Sequence, residues 1–140
     1  MYLIDTNVIT EFRKAEKADA GVREFFSQAA RDDRQTFLAS VTIGELRRGV
    51  EILFRRGDLD QAGRLEKWLE ALILNHQREI LPLDVDAAQI WGRLRVPDPH
   101  HALDKQIAAI ALIWDLTVVT RNVSDFQDLG VKLLNPFSSP

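Results

Sequence analysis

Apolar residues along the chain recur with two alternating periods. Short runs, "MYLID" (1–5), "TFLAS" (36–40), "EILPL" (79–83), "LTVVT" (116–120) and "VKLL" (131–134), have the length and residue types of strands. The longer segments between them follow the helical repeat. "NVITEFRK" and "AGVREFFSQAA" come first, and "IGELRRGVEILFRR" then sets Ile43, Leu46, Val50, Leu53 and Phe54 on one stripe. "LDQAGRLEKWLEALILNHQ" repeats the pattern with Leu65, Trp68, Leu69, Leu72 and Ile73. Gly57 is placed to end the first of these two helices, and Asp58 or Asp60 to cap the second. "DAAQIWGRLR" and "ALDKQIAAIALIW" read as two further helices, split by the turn-forming "VPDPHH". Strands alternating with helices predict an α/β domain. It should have a mainly parallel five-stranded sheet, helices on both faces, and an αα-hairpin over residues 43–76.

The 140 residues, 46% hydrophobic and 28% charged, suit a single globular domain over 1–140. There is no cysteine, which excludes disulfides and thiolate metal sites and fits a reducing compartment. No basic-then-apolar leader opens the chain, and the longest apolar run, "IAAIALIW" (107–114), is too short to span a bilayer. A soluble cytoplasmic protein without a membrane partner is expected. A net charge of −3 argues against bulk electrostatic attraction to nucleic acid. Arg nevertheless supplies 13 of the 18 basic residues, and its planar fork grips phosphate at two points, so an anionic ligand stays open.

Acidic residues carry the chemistry. Ligands of an open α/β sheet bind at the carboxyl ends of its strands, and acids gather there. Asp5 ends the first strand, where a carboxylate is costly unless something pairs with it. Glu45 falls in the first turn of the helix after the second strand, and Asp104 in the first turn of the helix before "LTVVT". Asn122 and Asp125 follow Thr120. Each acid has a structural reading. Asp5 can be an N-cap, Thr42 to Glu45 a capping box, and Asp104 and Asp125 complements to helix dipoles. Carboxylates converging on one pole also repel one another, and a hard cation such as Mg²⁺ or Mn²⁺ removes that repulsion. Oxygen ligands at such a pole suggest metal-assisted phosphoryl chemistry.

Four motifs in order, "LIDTNVI", "TIGELRRGV", "LDKQIAAIAL" and "VVTRNVSDF", resemble the PIN domain, and the likeness covers essentially the whole chain. It is greatest to the VapC-type toxins of bacterial toxin–antitoxin modules, including the FitB branch. The resemblance implies a Mg²⁺- or Mn²⁺-dependent endoribonuclease acting on tRNA or another structured RNA. It also implies a cognate antitoxin that silences the enzyme, and a homodimer within a toxin–antitoxin hetero-oligomer. Asp5, Glu45 and Asp104 match the family's acidic triad. At the fourth position Asn122 stands where family members often carry Asp, and Asp125 lies three residues on, so either is a candidate for the last metal ligand. Thr6 and Thr120 match hydroxyl positions that steady the carboxylates or a bound water.

Arg121, beside Asn122, is a candidate phosphate contact, and Arg47 is a second candidate for RNA or else part of a solvated helix face. His100 precedes Asp104 by four residues, the spacing of a zinc pair, with His101 adjacent. No third soft ligand accompanies them, which makes a solvated loop the simpler reading. Trp68, Trp91 and Trp114 lie among apolar residues and are expected in the core rather than as base-stacking platforms. Two other classes of function fit parts of the pattern. One is a non-catalytic PIN module that binds RNA or protein, its metal site weakened at Asn122. The other is a phosphatase with Asp5 as nucleophile, a chemistry that commonly has a second acid two residues on, where this chain has Asn7.

Overall fold

A computed structural model of the chain describes residues 1–138. From the N-terminus it runs β1 (Tyr2–Ile4), α1 (Thr6–Phe12), a 3₁₀ turn (Ala15–Lys17), α2 (Ala20–Arg31) and β2 (Thr36–Ala39). Helices α3 (Ser40–Arg55) and α4 (Leu59–Asn75) follow, then β3 (Ile80–Leu81), α5 (Val85–Leu94) and α6 (Ala102–Trp114). The chain ends with β4 (Thr117–Val119), α7 (Val123–Phe126) and β5 (Lys132–Leu134). The five strands pair in parallel in the order β3-β2-β1-β4-β5. Ile4 stands opposite Val119 in the central pair, and Leu3 opposite both Phe37 and Val118.

Successive strand residues point to opposite faces, and the core divides accordingly. Leu3, Ala39 and Val118 pack with Ile107, Ala108 and Ile110 of α6, Ala87 of α5 and Phe126 of α7. Ile4, Leu38 and Val119 face the other way, onto Val8, Ile9, Val22, Leu46, Val50, Leu69 and Leu72. Helices therefore cover both faces, and the central residues of β1, β2 and β4 are apolar on both sides of the sheet. The αα-hairpin forms as expected, with Gly57 in the left-handed region at φ +82° where α3 ends. Asp58 occupies the cap position of α4, although its side chain makes no capping hydrogen bond.

Several boundaries differ from the sequence reading. Helix α3 begins at Ser40, not Ile43, so Ser40 belongs to the helix and Thr42 lies buried within its first turn. The Thr42–Glu45 capping box does not form, since the N-cap position is Ala39, which has no side-chain acceptor. Strand β3 is two residues long because Pro82 lacks the N–H to continue the ladder. Trp114 is 52% exposed at the end of α6, outside the core assigned to it. Among the described residues, no helix is long and apolar enough to cross a membrane.

The last described residues are clamped to the start of α2. A Cβ on Gly21 would stand 2.3 Å from the Pro136 carbonyl oxygen, so only glycine allows that approach. Asp19 caps α2 through Val22 N–H and also accepts from the N–H and hydroxyl of Ser138.

The packing of α4 on the sheet is directly testable. Leu69 is fully buried in the α1–α4 core. Leu69→Ala is expected to lower unfolding free energy in urea by about 2–5 kcal/mol through lost burial and a residual cavity. Leu74→Ala, on the same helix but exposed, should change it by less than about 0.5 kcal/mol.

Candidate metal centre

The parallel pairing of β1 with β4 sets Asp5 beside Thr120, one residue past each strand. Asp5 is 4% exposed and Thr120 fully buried. The Asp5 carboxylate N-caps α1, its Oδ1 accepting from Thr6 N–H at 2.8 Å. Its Oδ2 accepts from the Thr120 hydroxyl at 2.8 Å and from the Asn7 amide at 3.2 Å. Burial pushes the Asp5 carboxyl up, while these three hydrogen bonds pull it down and the charge of Asp125 adds to the rise. Asn7 accepts in turn from Arg121 N–H at 3.1 Å, and Thr120 Oγ1 from Asn122 N–H at 3.0 Å. Asn7, at the position a phosphatase would fill with a second acid, is therefore a hydrogen-bond bracket for Asp5 and the 120–122 loop.

Above this network opens a cleft of about 300 Å³, lined by Asp5, Thr6, Asn7, Glu45, Asp104 and Asn122, with Val41, Leu103 and Ile107 as its apolar wall. Three elements deliver the acids: the end of β1, the second turn of α3 and the first turn of α6. Thr6 donates its hydroxyl to the buried Thr42 hydroxyl at 3.3 Å, which ties α1 to α3. Burial pushes the Asp104 carboxyl up to about 6 from an ordinary 3.8. The charges of Asp5 and Asp125 push the same way, His101 opposes them, and Glu45 adds a smaller push. The negative charges thus act on one another across the pole, which is the setting in which an oxygen-coordinated dication fits.

The tightest grouping among the described residues is a different one from the acidic triad. One donor atom each from His101, Asp104 and Asp125 lies within 4.8 Å of the others. Asp125 sits inside the single turn of α7 with Asn122 at its N-cap, and neither side chain makes a capping bond. Asn122 reaches the main cleft, whereas Asp125 lines an adjoining one with His101 and Lys105. The zinc-pair spacing of His100 with Asp104 does not form. The His100 ring is hydrogen-bonded to Asp98 at 2.7 Å, and it is His101 that stands near Asp104. His101 is the residue whose place the sequence reading missed; the signal was its i, i+3 spacing to Asp104 on a helix that starts at Ala102.

The arginines separate. Arg47 is held by Glu66 at 2.7 Å across the α3–α4 seam, so its guanidinium serves the hairpin. Arg121 is exposed at the pole, its guanidinium 4.5 Å above the Phe137 ring. The clamp on Ser138 therefore steadies Arg121 as well. Trp91 is partly buried and donates its Nε1–H to the Ala102 carbonyl at the start of α6.

The sequence pattern of the PIN domain matches residues 2–132. Toxin FitB of Neisseria gonorrhoeae is 32% identical, over 98% of this chain and 99% of FitB. VapC ribonuclease Y4jK of Sinorhizobium fredii is 31% identical over 98% of each chain. The crystal structure of FitAcB from Neisseria gonorrhoeae superposes with a TM-score of 0.81 at 32% identity, covering 97% of this chain and 98% of that one. With its parallel sheet, its acids at the carboxyl pole and this match over almost its full length, the chain belongs to the PIN-domain family.

Proposed function

We propose that the chain is the toxin of a toxin–antitoxin pair: a cytoplasmic, Mg²⁺- or Mn²⁺-dependent endoribonuclease formed by one domain over residues 1–140 and silenced by a cognate antitoxin. The observation that supports it most is the gathering of Asp5, Glu45, Asp104 and Asn122 around one cleft. The likeness to a FitB toxin and a VapC ribonuclease over nearly the whole chain points the same way. In this reading the protein works as a homodimer inside a toxin–antitoxin hetero-oligomer, and its substrate is tRNA or another structured RNA.

Asp5, Glu45 and Asp104 hold the ion, and Asp125 or Asn122 completes the set. A bound Mg²⁺ or Mn²⁺ supplies a water acidic enough to react near neutral pH and positive charge opposite the scissile phosphate. Thr120 and Asn7 keep Asp5 Oδ2 oriented, and Thr6 N–H keeps Oδ1 in place. Arg121 contacts the RNA backbone as a two-point donor. Water is the nucleophile and the 3′ oxygen leaves, which gives 5′-phosphate and 3′-hydroxyl ends.

Purified protein is expected to cut structured RNA with Mg²⁺ or Mn²⁺ and to spare a generic phosphomonoester. Ca²⁺ should not substitute, because its larger and more flexible shell places the water poorly. Loss of an outer-shell partner at a metal site already costs about 10–100-fold, so Asp5→Asn or Asp104→Asn should each lower cleavage by at least about 100-fold. Full-rate cutting in EDTA, or by either variant, would overturn the proposal.

Asp104 also sets a pH dependence. Its carboxyl titrates at about 6 in the fold against an ordinary 3.8, so the folded chain holds that proton more tightly than the unfolded chain does. The stability it contributes is fully present below the ordinary value and is lost as the pH rises through about 6. Asp5 shifts in the same direction; Asp19, held at about 2 by the Ser138 hydroxyl and N–H, titrates outside the window. Melting of the metal-free protein is expected to rise as the pH falls from about 7 to about 5, and Asp104→Asn should flatten that slope. Added Mn²⁺ should raise the melting temperature at about pH 7.5 and have little effect at about pH 5, where the proton competes for the ligand.

A further inference from the structure

We infer that His101 is a nitrogen ligand of the divalent-ion centre, on its Asp104–Asp125 side, and that it turns the centre toward Mn²⁺ and later first-row dications over Mg²⁺. The inference rests on the metal-dependent reading above and adds to it a residue outside the acidic set.

Two adjacent histidines make the contrast. His100 Nδ1 meets Asp98 Oδ1 at 2.7 Å, a direct hydrogen bond. His101 Nδ1 stands 3.8 Å from Asp104 Oδ2, beyond hydrogen-bond range. Among the described residues, the side chains of His101, Asp104 and Asp125 accept or donate no hydrogen bond, whereas Asp5 at the same pole accepts three. Their donor atoms nevertheless lie within 4.8 Å of one another. Two ligands about 2.1 Å from a common ion stand roughly 3–4.2 Å apart, so small side-chain rotations bring all three into one coordination shell. The three approach from different directions: the residue preceding α6, the first turn of α6, and the turn of α7.

The backbone fixes His101 where it stands. Its carbonyl accepts from Lys105 N–H at 3.0 Å, and the buried Lys105 ammonium is hydrogen-bonded to the Asp98 carbonyl within the preceding loop. Lys105 therefore answers to the loop and leaves the imidazole free to face the carboxylates. Asp104 lines the main cleft with Asp5 and Glu45, and its carboxylate lies within 4.8 Å of donor atoms of His101 and Asp125, which line the second cleft. An ion held between Asp104 and Asp125 is thus within reach of the ring. Chemically, an imidazole adds little for Mg²⁺, which seeks oxygen, and more for transition dications.

The test is pulsed electron paramagnetic resonance of the full chain loaded with Mn²⁺, which reads ¹⁴N directly bound to the ion. Nitrogen coupling is expected in the unaltered protein and in His100→Asn, and should vanish in His101→Asn. Asn suits the substitution because it tolerates the left-handed backbone of His101 (φ +55°). In His101→Asn, Mn²⁺ affinity by calorimetry should fall about tenfold and Mg²⁺ affinity by less than about twofold. Unchanged melting of the metal-free variant would exclude misfolding as the cause. Bound Mn²⁺ without ¹⁴N coupling, or nitrogen coupling that survives in His101→Asn, would overturn the role of His101 and leave the metal centre standing. No binding of Mn²⁺ at all would overturn both.

Discussion

A carboxylate almost removed from water sits at the end of the central strand, and its hydrogen bond from Thr120 joins the ends of β1 and β4. A buried carboxylate without donors would take up a proton or resist folding. Asp5 escapes both because three donors meet it: the Thr6 N–H of its own helix start, the Asn7 amide and the Thr120 hydroxyl. Thr120 can serve only because β4 lies beside β1 in parallel register. The same network continues into the loop beyond β4 through Asn122 N–H and Arg121 N–H. One buried group thus ties sheet order, helix capping and the cleft edge together.

The other acids of the pole are handled in the opposite way. Among the described residues Asp104 has no hydrogen-bond donor, and it lies among Asp5, Asp125 and Glu45, whose charges push its carboxyl up. Side chains kept at such a cost belong to sites where chemistry, rather than stability, sets the arrangement. Asp5 is oriented in advance, and Asp104 responds to whatever cation or proton arrives. That division suits the metal-dependent centre proposed above, which would have to hold an ion and still admit a substrate phosphate.

Elements far from the cleft also bear on it. Gly21 lets the backbone at Pro136 approach α2, Asp19 holds Ser138, and Phe137 between them lies under Arg121. The seam between α3 and α4 holds Arg47 on Glu66, so of the two arginines considered for RNA only Arg121 is presented at the pole. Neither arrangement follows from the local sequence around the arginine concerned.

Periodicity along contiguous residues determined much of this protein. The five strands, the long hairpin of α3 and α4, the helices on both faces and the end of α3 at Gly57 were legible, because apolar spacing and turn residues act over a few positions. Asp5 as an N-cap and Asp104 at the start of α6 were legible for the same reason, whereas Glu45, read in the first turn of its helix, stands in the second because α3 starts at Ser40. The extent of β3 and the start of α3 were less so, since a two-residue strand exists only by pairing with β2. Tertiary structure decided which groups meet. The order β3-β2-β1-β4-β5 brings Asp5 to Thr120 across 115 positions of chain. The entry of the loop into α6 turns His101, and not His100, toward Asp104. Sequence spacing carries no information on such encounters, because they are set by how the sheet and helices pack, and packing is a property of the whole chain.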